Sequence, residues 1–230
     1  SRLPSLKLNI QYPFLSILVS GGHTMIIYMK NVGNYRIMST TIDDSIGECF
    51  DKIARELGVE SVPGGPELEK KANNGTIQHI FNSPHIKTEP HNMSFSGIKT
   101  NVIRLIRSQP ILSIDVINNI ACSFQSCVVK YLLKKVRKCL SMLEKENNSI
   151  TSIVIAGGVA SNMCIRTQLD ELGHRINIPI KYPPINLCTD NGVMVAWNGV
   201  ERLKKGIYEH SSNISDEKSH MDAFPRWKLK

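Results

Sequence analysis

The segment from residue 14 to residue 41 constrains the fold more than any other part of the sequence. It contains three apolar runs, at residues 14–20, 25–29 and 35–41, and only short turns separate them. Runs of this length and composition are typical of β-strands, and short turns between them favour antiparallel neighbours. The sequence therefore predicts a three-stranded meander at the start of the fold.

Helix and strand patterns alternate after the meander. Apolar residues recur with a helical period from Ile46 to Leu57, with Asp44 as the predicted N-cap and Gly58 as the predicted stop. Pro66 opens a predicted short helix. The further predictions are helices at 96–107, 114–145 (with room for one break), 161–172 and 192–205, and strands at 152–158 and 177–182. The order βββα, helices, then βαβα predicts an α/β layered sheet.

Composition narrows the class of protein. The chain has 230 residues, of which 41% are hydrophobic and 21% charged, and no apolar run is long enough for a membrane span. The net charge of +8 permits binding to nucleic acid or acidic ligands, although a well-solvated lysine-rich surface explains it equally well. The helical segment 130–140 and the basic end at 224–230 are candidate nucleic-acid surfaces.

Cysteines and histidines provide no local metal or disulfide signature. The six cysteines include no CxxC pair, which predicts reduced thiols in an intracellular protein. The seven histidines include no HxxxH or HExxH pair, so no metal site is predicted from local helical histidines.

Two glycine pairs stand at the ends of predicted strands. In "LVSGGHT" the pair Gly21-Gly22 follows the first strand, and in "IAGGVASN" the pair Gly157-Gly158 follows a later buried strand. Glycines at such positions let backbone amides approach an anion closely, and the ends of strands beside helix starts are common nucleotide sites. A hairpin turn in the first case, and close packing in the second, are the alternatives.

Carboxylates supply the third kind of candidate. Asp44, Glu48 and Asp51 are spaced to share one face of the first helix, where they suit ribose hydroxyls, amino groups or a metal. The alternative is local: Asp44 caps the helix, Glu48 complements its dipole, and Asp51 pairs with Arg55. Asp190, in "CTDNG", is either an N-cap or a contact to a metal or phosphate.

Six motifs in order carry a resemblance to a known family: "LVSGGHT", "FDKIARELG", "PGGPELEK", "NMSFSGIKT", "IAGGVASN" and "LCTDNG". Together, over residues 12–206, they resemble the tRNA N6-adenosine threonylcarbamoyltransferases, and bacterial and mitochondrial members more than archaeal ones. The resemblance implies an actin-like, ribonuclease H-like βββαβα lobe, a mixed sheet with helices on both faces. Residues 1–230 would form the second lobe, with 206–230 an irregular basic tail. The N-terminal lobe and the family's HxxxH pair are expected to be absent.

The resemblance also implies a reaction and partners. The family transfers a threonylcarbamoyl group from threonylcarbamoyl-AMP to N6 of adenosine 37 in tRNAs that read ANN codons. It uses one divalent metal, Fe²⁺ ahead of Zn²⁺ or Mg²⁺. Its partners besides tRNA are a small paralogue and a P-loop ATPase in bacteria, or a second copy in mitochondria. The implied location is the bacterial cytoplasm or an organelle, without a membrane.

Site residues follow from the matching motifs. The phosphate and carbamoyl part would lie against Leu18, Val19, Ser20, Gly21 and Gly22. The adenosine would lie against Asp51, Gly65 and Glu69 on one side and Gly157, Gly158 and Asn162 on the other, and Asp190 would be a metal ligand. With one such ligand, the chain alone is expected to bind metal weakly and to be inactive. The alternatives are a non-catalytic nucleotide-binding scaffold and a sugar-kinase-like ATPase.

Overall fold

A five-stranded mixed sheet organises the structure, a computed structural model that describes residues 10–84, 86–188 and 191–207. In the order β3-β2-β1-β4-β5, the first three strands are antiparallel, whereas β1, β4 and β5 are parallel. The strands are β1 Phe14–Val19, β2 Thr24–Asn31, β3 Asn34–Thr40, β4 Ile153–Ala156 and β5 Ile180–Lys181. The predicted meander and α/β class are both confirmed.

Six α-helices accompany the sheet in the described ranges. They are α1 Ile46–Glu56, α2 Gly65–Asn73, α3 Ser96–Ser108, α4 Ile114–Lys145, α5 Met163–Ile176 and α6 Gly192–Lys204. Short 3-10 turns cover Gly158–Ser161 and Ile185–Leu187. The helix α4 runs unbroken for 32 residues. None of the helices that the structure describes is both long and apolar enough to cross a bilayer.

One large core joins the sheet to the helices. Alternate β1 side chains, Leu15, Ile17 and Val19, are fully buried in it, together with residues of α1 to α5. On the opposite face of the sheet, Phe14 packs with Ile10 and Val154 in a smaller cluster. The alternation along β1 follows from the period of two in strands. The turn that follows β1 lies against the start of α1, where Gly47 N donates to Ser20 O.

Two predicted helix boundaries were wrong. The N-cap of α1 is Ser45, whose hydroxyl accepts a hydrogen bond from Glu48 N, and not Asp44. The helix predicted to end at residue 172, before Gly173, continues as α5 to Ile176 and ends at Asn177 in the left-handed conformation. Gly173 allows α5 to pack closely against the following segment, since a Cβ on it would lie 2.7 Å from Ile178 O. Gly58, at φ +77°, does end α1 as predicted.

Two predictions fall on residues outside the described ranges. They are the proposed metal ligand Asp190 and the part of the basic tail from residue 208 onward.

Candidate functional site: a cleft at the ends of β1 and β4

A cleft of about 250 Å³ lies where the turns that follow β1 and β4 meet the starts of three helices. The residues that line it come from four separate segments of the chain. They are Gly21, Gly47, Phe50, Asp51, Pro63, Gly65, Pro66, Glu69, Gly158, Val159, Ser161 and Asn162. A concave site at the carboxyl ends of parallel strands is the usual ligand position in α/β sheets.

The turn after β1 is closed by its own serine. The Ser20 hydroxyl accepts hydrogen bonds from Gly22 N at 3.3 Å and from His23 N at 3.0 Å, and Ser20 N donates to His23 O at 2.8 Å. The hydroxyl and the Gly22 amide are therefore already engaged within the turn, while Gly21 lines the cleft.

Helix α1 holds this turn in place. The Ser45 hydroxyl donates to Gly21 O at 2.6 Å, and Gly47 N donates to Ser20 O at 3.2 Å. A Cβ on Gly47 would lie 2.6 Å from Ser20 O, so only glycine permits this approach. The start of α1 and the glycine turn thus form one wall of the cleft.

Of the three carboxylates predicted to share a face, only Asp51 lines the cleft. Its Oδ1 accepts hydrogen bonds from Gly64 N at 2.8 Å and Gly65 N at 3.2 Å, which fixes the start of α2. The predicted alternative, a pair with Arg55, is not formed between these two described residues.

The other two carboxylates belong to an ion-pair network beside the cleft. Asp44 pairs with Lys52 and Lys99, and Glu48 pairs with Lys52 at 2.6 Å. The hydrogen bond with Glu48 raises the pKa of the Lys52 ammonium, which stays charged. Neither Asp44 nor Glu48 is among the residues that line the cleft.

The wall opposite α1 is fixed by two side chains. Glu69 Oε1 accepts a hydrogen bond from Met163 N at 2.6 Å and so joins α2 to the start of α5. Asn162 is the N-cap of α5: its Oδ1 accepts from Ile165 N at 3.0 Å, and its Nδ2 donates to Gln125 Oε1 at 2.9 Å. The carboxamide of Asn162 therefore has a partner at both ends inside the protein.

Gly157 and Gly158 have different surroundings. Gly157 has φ +99°, and a Cβ on it would lie 2.2 Å from Val19 O, so it packs the end of β4 against β1. Gly158 has open space beside its Cα and lines the cleft. Leu18 and Val19 lie within β1, and Val19 is fully buried.

The structure thus brings six of the eleven predicted substrate-binding residues to one cleft: Gly21, Asp51, Gly65, Glu69, Gly158 and Asn162. Leu18, Val19, Ser20, Gly22 and Gly157 are not among the residues that line the cleft. The lining has two carboxylates and no basic side chain. Such a surface suits hydrogen-bond donors, such as ribose hydroxyls and amino groups.

Metal ligands do not cluster in the described ranges, which contain no group of three or more His, Cys, Asp or Glu side chains placed to hold an ion. A stable site needs about three or more protein ligands. The residues that the structure describes do not therefore form a metal site by themselves.

Comparison with known proteins decides the family. A sequence model of the tRNA N6-adenosine threonylcarbamoyltransferases matches residues 3–197. The chain belongs to this family. Membership confirms the resemblance that the six motifs indicated.

The similar members of the threonylcarbamoyltransferase family are longer than this chain. A relative from Zymomonas mobilis is 44% identical over 203 residues, which cover 88% of this chain and 54% of the relative. A relative from Wolbachia of Brugia malayi is 42% identical over 222 residues, covering 96% and 62%. Both are named tRNA N6-adenosine threonylcarbamoyltransferase. The chain spans between half and two thirds of their length.

A solved structure supports the fold of this family member. The crystal structure of HypF from T. kodakarensis matches with a TM-score of 0.61 at 13% identity, over 84% of this chain and 34% of that chain. At this identity the likeness concerns the fold alone, and it agrees with the actin-like lobe that the motifs predicted.

Six of the residues that line the cleft were not predicted from the sequence of this threonylcarbamoyltransferase-family chain. Gly47 could have been predicted, because a glycine inside a helical pattern often indicates close packing against another segment. Gln125, which holds Asn162, had none, since its pairing depends on how α4 and α5 meet. The other lining residues that were missed are Phe50, Pro63, Pro66, Val159 and Ser161.

Proposed function

We propose that this chain carries the adenylate-binding lobe of an enzyme that transfers a threonylcarbamoyl group from threonylcarbamoyl-AMP to N6 of adenosine 37 in tRNAs that read ANN codons. The observation that carries the proposal is the convergence of Gly21, Asp51, Gly65, Glu69, Gly158 and Asn162 on one cleft. These residues come from motifs that are far apart in the sequence, and the chain belongs to the matching family.

The proposed reaction requires the protein to bind and orient the two substrates. The adenosine N6 amine attacks the carbonyl carbon, the bond from that carbon to the phosphate oxygen breaks, AMP leaves, and the amine loses a proton. Because an acyl adenylate is already activated, the protein need not supply a nucleophile. In this proposal, Asp51 and Glu69 accept hydrogen bonds from the nucleoside, and the turn at Gly21 faces the phosphate.

The metal and the partners are further parts of the proposal. We propose that Asp190 gives one ligand to a divalent ion, Fe²⁺ ahead of Zn²⁺ or Mg²⁺, which would act as a Lewis acid. The described residues do not complete such a site. The proposed partners are tRNA with either a small paralogue and a P-loop ATPase or a second copy, in a bacterial cytoplasm or an organelle. Family resemblance supports this part.

The cleft is tested by AMP binding. Titration calorimetry of the 230-residue chain with AMP is expected to show binding that the Asp51→Ala variant loses. Glu144→Ala, which removes an exposed carboxylate of α4 outside the cleft, is the matched control and should bind as the wild type does. Absence of AMP binding to the wild type, or equal binding to Asp51→Ala, contradicts the proposed site.

The reaction is tested with threonylcarbamoyl-AMP and an unmodified tRNA transcript, followed by mass spectrometry of the nucleosides. The chain is assayed alone and together with the part of the Zymomonas mobilis relative that lies outside the matched region. We expect N6-threonylcarbamoyladenosine only in the combined reaction, and none with a transcript that has guanosine at position 37. If no modified nucleoside forms in either reaction, the proposed transfer is wrong.

A further inference from the structure

A buried pair of carboxamides joins α4 to α5 behind the cleft. Gln125 and Asn162 are each 5% exposed, and Asn162 Nδ2 donates to Gln125 Oε1 at 2.9 Å. Burying a polar side chain is unfavourable unless it is hydrogen-bonded. The bond between these two residues is therefore the condition under which both can be buried.

Three residues of α4 close to Gln125 in the chain are apolar and buried. They are Ala121, Phe124 and Val128. The ring of Phe124 lies 5.0 Å from the ring of Phe50, a residue of the cleft. An apolar environment of this kind raises the energetic penalty for any orientation of the carboxamide that breaks the bond.

The bonds to Gln125 and to Ile165 N together decide which way the Asn162 carboxamide points. A carboxamide has a donor at one end and an acceptor at the other. With Nδ2 directed at Gln125, Oδ1 is left for Ile165 N, the amide that it caps at 3.0 Å. The opposite orientation would set the NH₂ group against the Ile165 N–H, would lose that hydrogen bond, and would keep the bond to Gln125 only if the Gln125 carboxamide turned as well.

The start of α5 is part of the cleft wall. Asn162 and Ser161 line the cleft directly, and the next residue, Met163, donates its amide to Glu69 Oε1. A loosened cap at Asn162 would therefore move the backbone at Ser161 and the contact of Glu69 together.

We propose that Gln125 is a positioning residue, whose buried carboxamide fixes the orientation of Asn162 and thereby the α5 wall of the cleft. Gln125 does not line the cleft and acts through Asn162. The positioning of Asn162 by Gln125 is argued from these contacts alone. The effect of Gln125 on ligand binding rests on the proposed function.

Hydrogen exchange of the ¹⁵N-labelled 230-residue chain tests the positioning of Asn162. Gln125→Met keeps the side-chain length and removes the acceptor. We expect the Ile165 amide to exchange about fivefold to tenfold faster in this variant, because its cap is freed to rotate. Gln125→Glu keeps an acceptor for Asn162 Nδ2 and is expected to restore most of the protection. Gln125→Asn, which withdraws the carboxamide by one methylene, replaces Gln125→Met if that variant does not fold.

Two controls separate positioning from a general loss of stability. Ser123→Ala removes a buried hydroxyl of the same helix, which accepts from Gln78 N and His79 N and has no bond to α5. It should leave Ile165 protected. The Val116 amide, which Ser113 caps at the start of α4, should be unchanged in every variant. Unchanged exchange at Ile165 in Gln125→Met, or equal acceleration in Ser123→Ala, overturns the proposal.

AMP titration of the same variants tests the consequence for the ligand. We expect Gln125→Met to bind AMP about tenfold more weakly and both Gln125→Glu and Ser123→Ala to bind close to the wild-type level. If wild type binds no AMP while the exchange results hold, the proposed function fails and the positioning role stands. If the wild type binds AMP and Gln125→Met binds it equally well, the effect on the cleft is wrong.

Discussion

Asp43 and Asp44 are neighbours in the sequence, but they make different kinds of contact, a helix cap and ion pairs. Asp44 pairs with Lys52 and Lys99, whereas Asp43 accepts hydrogen bonds from Ser94 Oγ at 2.5 Å, Ser96 Oγ at 2.7 Å and Phe95 N at 2.8 Å. The N-cap residue of α3, Phe95, has no capping side chain of its own. Asp43 therefore caps α3 from about fifty positions earlier in the chain, and this gives the "SFSG" motif a structural role.

The role of Asp43 as a cap predicts that the stability lost in Asp43→Asn depends on pH. Burial acts to raise the pKa of Asp43, but the hydrogen bonds from Ser94, Ser96 and Phe95 together hold it below the usual 3.8. The stabilisation is therefore fully present above pH 3.8 and is lost as pH falls through the lower folded value. In urea titrations we expect Asp43→Asn to be less stable by about 1 kcal/mol at pH 7, with a smaller difference at pH 3.

The control for this prediction is Glu144→Gln, which alters an exposed carboxylate of α4. Its difference from wild type should be small at both pH values. A penalty for Asp43→Asn that stays constant from pH 7 to pH 3 contradicts the role of the ionised carboxylate.

At the scale of elements, the contact between α1 and the turn after β1 leaves no room for a side chain. Gly47 lies at the start of α1, and a Cβ there would meet Ser20 O at 2.6 Å and Gly21 N at 2.7 Å, both backbone atoms. Backbone atoms cannot rotate away as a flexible side chain does, so a substitution must displace the turn or the helix.

Two glycine-to-alanine changes in helices should therefore have opposite effects on stability. Gly47→Ala is expected to destabilise the chain by about 1–3 kcal/mol because of the overlap with Ser20 and Gly21. Gly199→Ala, on α6, meets no atom within 4 Å and should stabilise by about 0.5–1 kcal/mol through helix propensity. Urea titration measures both, with circular dichroism for Gly47→Ala in the core and Trp197 fluorescence, in a Trp227→Phe background, for Gly199→Ala on α6. A stabilising Gly47→Ala would mean that the turn yields easily.

The elements also show what the sequence could predict and what it could not. The meander, the Pro66 start of α2 and the glycine stop of α1 depend on local chemistry, and each was predicted. The end of α5 was not predicted correctly. Gly173 is required by the close approach of Ile178 beyond the helix, and it does not terminate the helix. In the same way, the motifs named the residues around the cleft, but the internal partners of Ser20, Asp44 and Asn162 depend on tertiary contacts.

At the scale of the whole molecule, α6 contributes no residue to the large core that α1 to α5 share. The large core includes residues of α1 to α5, whereas no residue of α6 is buried. Val195 and Leu203 are 67% and 61% exposed. An element with so little buried apolar surface opens at a lower free energy than the core does.

We predict that α6 separates before the core unfolds. The chain has two tryptophans, Trp197 on α6 and Trp227, so a Trp227→Phe variant reports on α6 alone by fluorescence. Circular dichroism at 222 nm is dominated by α1 to α5, the other helices in the described part of the chain. In urea, we expect the Trp197 transition to precede the dichroism transition by more than about 0.5 M, because the two signals follow units of different stability. Coincident transitions would show that α6 belongs to the same cooperative unit as the cleft.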